Sequence, residues 1–352
     1  MLPAFDNRGI HHETARVACA ILANSRWDGY LTTTRGGDAI SEGRDDVLRG
    51  DQYFFRVPDG SSSPAPDKPV LNQLTDDKYS IVPSFDHFCC PRTLPDSWNI
   101  GLIERTTADD IRNRDQTCRI TGSMLPNETA HIIPQAQSGW WQRNSMFTYT
   151  TNPDLSSDTC CADNAILLRR DLHKMWDDHY FAIVPKKGKW VIHLLRNISS
   201  NELETQYHNL ELQSLSGVAR HFFFCRFALA IFSKSTFLNQ NVSRKLVTLD
   251  SEGTAQERSV PAAEYRKLFP PVGRAKSRSQ SPKKRQRSVQ GNDADKDCAD
   301  CTDCTLSDSE NENERGRRRK RSFSVEFPPG GNLDEFVPRK KVKRMTPPRS
   351  PA

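Results

Sequence analysis

The composition of the chain changes sharply at about residue 271, and this change limits how much of the sequence can fold. Ser, Pro, Arg, Lys, Asp and Glu dominate residues 271–352, and apolar periodicity vanishes there. Such a segment cannot bury enough apolar surface to offset the entropy that it loses on ordering. We therefore predict a disordered tail over 271–352 and expect the folded part of this 352-residue chain within residues 1–270.

The net charge divides at the same place. Residues 271–352 hold 20 Lys and Arg against 12 Asp and Glu, a net of +8, whereas residues 1–270 hold 30 against 32, a net of −2. The basic residues of the tail form three clusters, which are typical of nuclear-import signals or nucleic-acid arms. The import-like residues are Lys283, Lys284, Arg285, Arg317, Arg318, Arg319, Lys320, Arg321, Arg339, Lys340 and Lys341. We expect a nuclear, otherwise cytoplasmic, protein whose tail binds import receptors.

Other bulk features exclude some classes of protein. No window approaches the ~18 consecutive apolar residues that a membrane span requires, so we expect no membrane partner. The ten cysteines are scattered and do not form the framework of a small secreted domain. This scatter favours a reducing, intracellular compartment.

Two histidines near the N-terminus, His11 and His12, are predicted to lie at the surface.

Residues 116–193 contain the most informative pattern of elements. "CRITG" (118–122) and "AHIIP" (130–134) each predict a short strand. A helix is predicted from an N-cap at Asp163 or Asn164 to about Asp178. "YFAIVP" and "KWVIHLL" predict a β-hairpin around the turn "KKGK".

The predicted helix has two distinct faces. Leu168, Leu172, Met175 and Trp176 form an apolar stripe, and Arg169, His173 and Asp177 follow one another at i+4 steps on a different face. Further along, the aromatic-rich segment 217–235 has helical periodicity, and we predict a helix that packs on the preceding domain. The polar chemistry of the chain therefore lies on the "AHIIP" strand and on one helix face.

The ordered set His131, Asn164 and His173 resembles the His-Asn-His motif of HNH endonucleases. The phrases "CRITG", "AHIIP", "NAILLRRDLHKMWDDHYFAIVP" and "GKWVIH" are similar to the HNH domain of many fungal proteins, in the branch with "AH" at the first histidine. The resemblance implies an α+β chain with a ββα-metal (HNH or His-Me finger) core and flanking α/β elements. The expected regions are a mixed α/β N-terminal region of unknown role (1–115), an HNH nuclease-like domain (116–200), a helical extension packed on it (201–270) and the tail (271–352).

The resemblance also implies a role for each motif residue. His131 would be the general base that deprotonates water, because an imidazole with a pKa near ~6.5 accepts a proton at neutral pH. Asn164 would orient that ring through its amide, and His173 would coordinate a divalent cation, namely Mg, Mn, Ni or Zn. Arg169 and Arg170 are either phosphate-binding residues or solvated arginines of the helix face.

One position departs from the family pattern. Many family members carry a metal ligand immediately before the base, and this chain has Ala130 there. Another ligand is then needed beside His173. Asp177 is the first candidate, because it lies one turn further on the same face, and Asp171 or His179 come after it.

Three functions from different classes follow from these residues. The first is a metal-dependent HNH endonuclease that hydrolyses phosphodiester bonds of nucleic acid, with DNA favoured. The second is a non-catalytic nuclear protein, built on a degenerate HNH scaffold, that binds nucleic acid or protein. The third is a regulatory nuclear protein in which the tail dominates. Intact His131, Asn164 and His173 favour the first, whereas Ala130 favours the second.

Overall fold

The computed structural model describes residues 2–58, 79–100, 111–153, 158–197, 202–235, 238 and 242–269. They form an α+β structure of short helices and small sheets, all within one compact unit, Met1–Thr305. The strands are β1 (Ile10–His11), β2 (Tyr30–Thr32), β3 (Val47–Leu48), β4 (Phe54–Arg56), β5 (Asn127–His131), β6 (Ala165–Arg169), β7 (Phe181–Lys186), β8 (Lys189–Leu194), β9 (Arg244–Leu249) and β10 (Ala255–Val260). The helices are α1 (His12–Leu22), α2 (Ile111–Asp115), α3 (Ser138–Arg143), α4 (Arg170–Asp177), α5 (Glu202–Tyr207), α6 (Arg220–Phe232) and α7 (Ala262–Leu268).

The strands of the described chain pair in five two-stranded antiparallel sheets. The pairs are β1–β3, β2–β4, β5–β6, β7–β8 and β9–β10. Such small sheets expose most of their edges, so packing against helices must supply much of their stability. Within the described residues no helix is both long and apolar enough to cross a membrane. The predicted tail, with its import-like clusters, lies outside the described residues.

Two predicted elements are confirmed. The hairpin has β7 and β8 paired from Phe181↔Leu194 to Lys186↔Lys189, and its turn places Lys187 and Gly188 at positive φ angles of 50° and 76°. The aromatic-rich helix is α6, which packs on β7 and buries Phe222, Phe223, Phe224 and Phe227 in the core. Both patterns were readable because each segment is long and strongly periodic.

Two other predictions for residues 116–178 are wrong. Residues 118–122 form a turn, closed by hydrogen bonds from the Gly122 N–H to the Cys118 carbonyl and from the Cys118 N–H to the Ser123 carbonyl. Residues 165–169 form strand β6, so the helix begins at Arg170 and has Arg169 as its N-cap. A short apolar run such as "AILLR" is compatible with either a buried strand or a helix. It forms a strand here because it pairs with β5.

The N-terminal region and the HNH-like region share one apolar core. Val17, Ala18 and Ile21 of α1 lie in the same buried cluster as β6, β7 and α6. The prediction that His11 and His12 lie at the surface is wrong, because their exposed fractions are 3% and 7%. The histidines are buried because β1 pairs with β3 and α1 packs on β7 and α6.

The region 201–270, predicted as a helical extension, also contains a hairpin. β9 and β10 pair from Arg244↔Val260 to Leu249↔Ala255. Leu246, Val260 and Tyr265 belong to a second, smaller apolar cluster beneath this hairpin and α7. The strong helical signal of α6 does not extend to this segment.

Candidate active site

The site is built on the consecutive elements β5, β6 and α4. β5 and β6 pair with Ala130 opposite Ile166 and His131 opposite Ala165. Residues 165–168 are fully buried, which anchors the sheet in the core, and α4 follows β6 without an intervening loop. α4 then packs on both strands. This connection brings the C-terminal half of α4 back towards the end of β5.

His131 is the last residue of β5 and is half-buried. Its backbone carbonyl accepts a 2.9 Å hydrogen bond from the indole N–H of Trp176 on α4. Burial, together with the nearby charge of His173, lowers the pKa of His131 below its usual 6.5, while Asp177 acts in the opposite direction. A lowered pKa leaves the imidazole neutral at neutral pH, which is the form that accepts a proton.

Asn164 is fully buried and holds the backbone that follows His131. Its Oδ1 accepts from the Ile133 N–H at 2.9 Å, and its Nδ2 donates to the carbonyls of Ile133 and Thr159 at 2.9 and 2.8 Å. Its own carbonyl accepts from the Ile132 N–H at 2.8 Å. The hydrogen bonds of the amide go to backbone groups of Ile133 and Thr159 and not to the His131 ring that it was predicted to orient. Asn164 positions His131 through the main chain.

His173 lies between two carboxylates. Its Nδ1 is 3.0 Å from Oε2 of Glu128 on β5, and its Nε2 is 3.5 Å from Oδ2 of Asp177 one helical turn later. In the tautomer with the proton on Nδ1, the Nδ1–H donates a hydrogen bond to Glu128, and the lone pair of Nε2 points towards Asp177. A carboxylate on the second nitrogen of a histidine commonly fixes its tautomer for metal binding in this way.

The two arginines proposed to bind phosphate have different environments. Arg169 lies on β6 and not on the helix face, and it makes a bidentate pair with Asp171, with both contacts at 2.7 Å, plus a 2.9 Å bond to the Tyr207 hydroxyl. Arg170 is largely exposed, and its Nε pairs with Glu128 at 3.1 Å. Arg170 is therefore the one with a guanidinium that a phosphate can reach.

Arg226 of α6 is a buried residue of the site that the sequence analysis missed. It is 1% exposed, donates to the carbonyls of Ile132 and Trp176, and stacks over the Trp176 ring at 4.5 Å. Its Nη2 lies 3.8 Å from Oδ1 of Asp177. Burial lowers its pKa to about 10, so the guanidinium stays charged at neutral pH. A lone arginine inside an apolar helix was the signal available in the sequence, because buried arginines need partners.

Glu128 is the second residue that the sequence analysis missed. Side chains alternate across a strand, so Glu128 shares a face of β5 with Ala130, two residues away. Ala130 is fully buried and supplies no ligand, whereas Glu128 extends from the same face to His173. The alternation of the strand was the signal that pointed to Glu128.

The donor set fits a cation that draws most of its ligands from water and substrate. His173 and Asp177 together offer a nitrogen and an oxygen, which suits an ion that keeps several waters. The reserve ligands are not placed for this role. Asp171 is paired with Arg169, and His179 is a partly buried residue whose pKa falls to about 3 through burial and the charge of Arg226. Among the described residues, a three-ligand cluster occurs elsewhere, at Asp6, His193 and His208.

These features describe an α+β protein in which β5 and α4 bring histidine and carboxylate side chains together. Residues 118–184 match the model of the HNH endonuclease family, so this segment is an HNH endonuclease domain, as the resemblance predicted. The domain suggests nuclease activity on nucleic acid in general, and HNH nucleases generally use a divalent metal ion. Comparisons with curated proteins and with solved structures gave no significant match.

Proposed function

We propose that the protein is a metal-dependent endonuclease that hydrolyses phosphodiester bonds, with DNA as the favoured substrate. The observation that carries this proposal is that the HNH segment brings a neutral, half-buried His131 within electrostatic reach of His173 and Asp177. In this reading β5, β6 and α4 form a ββα-metal core. Under this proposal His131 is the proton acceptor on one side, and His173 with Asp177 is the cation site on the other.

His131 acts as the general base. Its imidazole takes a proton from a water molecule, and the resulting hydroxide attacks phosphorus, while the bond to the leaving oxygen breaks and solvent protonates that oxygen. Three neighbours hold the strand end still: Trp176 binds the His131 carbonyl, Arg226 the Ile132 carbonyl and Asn164 the Ile133 peptide groups. Rigid positioning matters, because a small displacement of a base costs a large factor in rate.

His173 and Asp177 would hold the divalent cation. When bound, the cation supplies charge that stabilises the phosphate oxygens as the leaving group departs. Glu128 would accept a hydrogen bond from the Nδ1–H of His173, which leaves the lone pair of Nε2 free to bind the cation. Arg170, exposed at the start of α4, adds a charge-assisted contact to the phosphate.

A second candidate is a non-catalytic nucleic-acid-binding protein on the same scaffold. The observation in its favour is Ala130, which is fully buried where many relatives of the motif carry a ligand. With two protein ligands in place of three, the cation affinity is lower. This function predicts salt-sensitive nucleic-acid binding without cleavage.

The test is nicking of supercoiled plasmid by the purified full-length chain with Mg²⁺, Mn²⁺, Ni²⁺ or Zn²⁺. We expect cleavage with at least one metal, and loss of cleavage in His131→Ala and His173→Ala. His87→Ala is a matched control, because His87 is also partly buried but binds the Leu249 N–H away from the site. Equal activity in all variants would reveal a contaminating nuclease, and binding without cleavage would favour the second candidate.

We also propose a nuclear location, directed by import receptors that bind the basic clusters of the tail. The support is the sequence alone: three Lys- and Arg-rich clusters in residues 271–352. A fluorescent protein fused to residues 271–352 should accumulate in nuclei. Replacing the clusters at 283–285, 317–321 and 339–341 by alanine should return it to the cytoplasm, and unchanged nuclear accumulation would reject the proposal.

A further inference from the structure

Basic side chains gather just beyond the C-terminal end of α4, next to the HNH site. The members of this basic cluster are His179, Arg196, Arg226 and Lys234. Two of them follow elements that end nearby: Arg196 lies two residues after β8, and Lys234 lies two residues after α6. The side chain of Arg196 is exposed and that of Lys234 is half-buried, so both are open to a ligand from solvent.

Contacts with the end of α4 hold the arginines of the cluster in place. The guanidinium of Arg196 lies over the ring of Tyr180, with its central carbon 5.2 Å from the ring centroid. The backbone beside Arg196 is fixed as well, because the Leu195 N–H donates to the Tyr180 carbonyl at 2.7 Å. Arg226 approaches from α6 and donates to the Trp176 carbonyl.

The charges of the cluster act on one another. Burial and the charges of the other three members lower the pKa of His179 to about 3. Burial, followed by the charge of Arg196, lowers the pKa of Lys234 to about 8, so Lys234 remains mostly protonated at neutral pH. Cations from β8 and α6 therefore lie close together around the last turn of α4.

The cluster has a surplus of positive charge and of hydrogen-bond donors. Neither Arg196 nor Lys234 has a carboxylate partner in the part of the chain that the structure describes. Asp178, the carboxylate beside His179, is already paired with Lys174 at 3.0 Å. Like charges at close range repel one another, and an anion between them removes that cost. The electrostatics of the cluster are therefore those of an anion-binding site.

The basic cluster and Arg170 lie at opposite ends of α4, with the HNH site between them. Glu128 pairs with both Arg170 and His173, so these two side chains share one side of the helix. Asp177 contacts His173 and lies 3.8 Å from Arg226, a member of the cluster. The eight residues of α4 span about 12 Å, which equals about three to four nucleotide steps along one strand.

We propose that Arg196 and Lys234 bind a backbone phosphate of the nucleic-acid substrate, so that the strand runs along α4 from Arg170 across the HNH site to the basic cluster. This inference rests on the proposed function and adds the direction of the bound strand. The planar guanidinium of Arg196 suits two phosphate oxygens, and Lys234 supplies a compact ammonium. Contacts to phosphate position a strand without selecting its sequence.

The test measures binding of a short fluorescent duplex DNA to the full-length chain over a series of salt concentrations. Every protein carries His131→Ala and the buffer contains a chelator, so binding is measured without cleavage. Arg196→Gln and Lys234→Gln should each weaken binding about tenfold at low salt. The slope of log affinity against log salt should fall by about 1 in each variant. The basic tail is the same in all variants, so their differences report the cluster.

Lys189→Gln is the matched control. It removes the same charge at the other end of β8, where Lys189 is exposed and pairs with Glu211 at 2.6 Å. We expect its DNA affinity to stay within about twofold of the background protein. Equal affinity and equal salt slope in Arg196→Gln, Lys234→Gln and Lys189→Gln would overturn the proposal.

A purely structural role makes a different prediction. Lys234 lies at the C-terminal end of α6, where the helix dipole favours a cation. If that were its only role, Lys234→Gln would lower the melting temperature and leave the DNA affinity unchanged, and this result would overturn the proposal. Lys234→Arg keeps the charge and should retain the affinity, whereas a loss as large as in Lys234→Gln would count against a phosphate contact. Plasmid nicking does not enter these measurements, so this proposal and the nuclease function fail separately.

Discussion

Replacing Glu128 separates its effect on the cation from its effect on the fold. Glu128→Gln keeps a carbonyl oxygen that can accept from Nδ1 of His173 but removes the negative charge, and Glu128→Ala removes both. The side chain of Glu128 is 40% exposed, so its ion pairs stabilise the protein by only about 0–1 kcal/mol. The free energy of unfolding should therefore hardly change.

The effect on catalysis should be much larger than the effect on stability. Loss of a carboxylate that orients a metal-binding histidine typically weakens metal affinity or activity by about 10–100-fold, which corresponds to about 1.4–2.7 kcal/mol. Because Glu128→Gln retains a hydrogen-bond acceptor, we expect its metal affinity to fall about tenfold. For Glu128→Ala, which retains no acceptor, we expect a fall of about a hundredfold. The shift should appear as a higher metal concentration for half-maximal plasmid nicking.

Asp178→Asn is the matched control. Asp178 is a carboxylate of similar exposure, 42%, that pairs with Lys174 on the same helix. Arg170→Gln, measured in parallel, accounts for the partner that Arg170 loses in both Glu128 variants. If Glu128→Gln and Asp178→Asn have the same metal dependence as the unmodified protein, Glu128 does not orient a metal ligand and the reasoning is refuted.

Three further predictions concern the residues around the strand end. His131→Ala should lower the nicking rate by a factor of roughly 10²–10⁴. The unmodified protein should lose activity only as the pH falls through a midpoint below 6.5, because burial and the charge of His173 disfavour protonation of His131. A midpoint above 7 in the profile of nicking rate against pH would contradict this. Asn164→Ala leaves three buried backbone groups without partners and should cost roughly 3 kcal/mol in urea unfolding, against less than about 0.5 kcal/mol for the exposed Asn152→Ala. Arg226→Lys keeps the positive charge but loses the contacts of the forked guanidinium to two carbonyls. We therefore expect the free energy of unfolding to fall by about 2 kcal/mol and plasmid cleavage to become slower. Unchanged cleavage would show that Arg226 has no positioning role.

The sequence by itself determined the residues with chemistry and the strongly periodic elements. His131 and His173 stand in the order of the HNH motif, and the i+4 spacing of His173 and Asp177 on a helix face required no tertiary information. The hairpin 181–194 and the helix α6 were likewise readable, because their patterns span whole elements.

Only the tertiary structure decided how those residues are held. Residues 165–169 are a strand because β5 lies beside them, and pairing between distant segments leaves no local signal in an apolar run. The hydrogen bonds of Asn164 depend on tertiary structure for the same reason, since two of its three side-chain bonds go to the backbone of Ile133, 31 residues earlier in the chain. Glu128 and Arg226 approach α4 from β5 and α6, so their roles depend on the packing of three elements that are far apart in sequence.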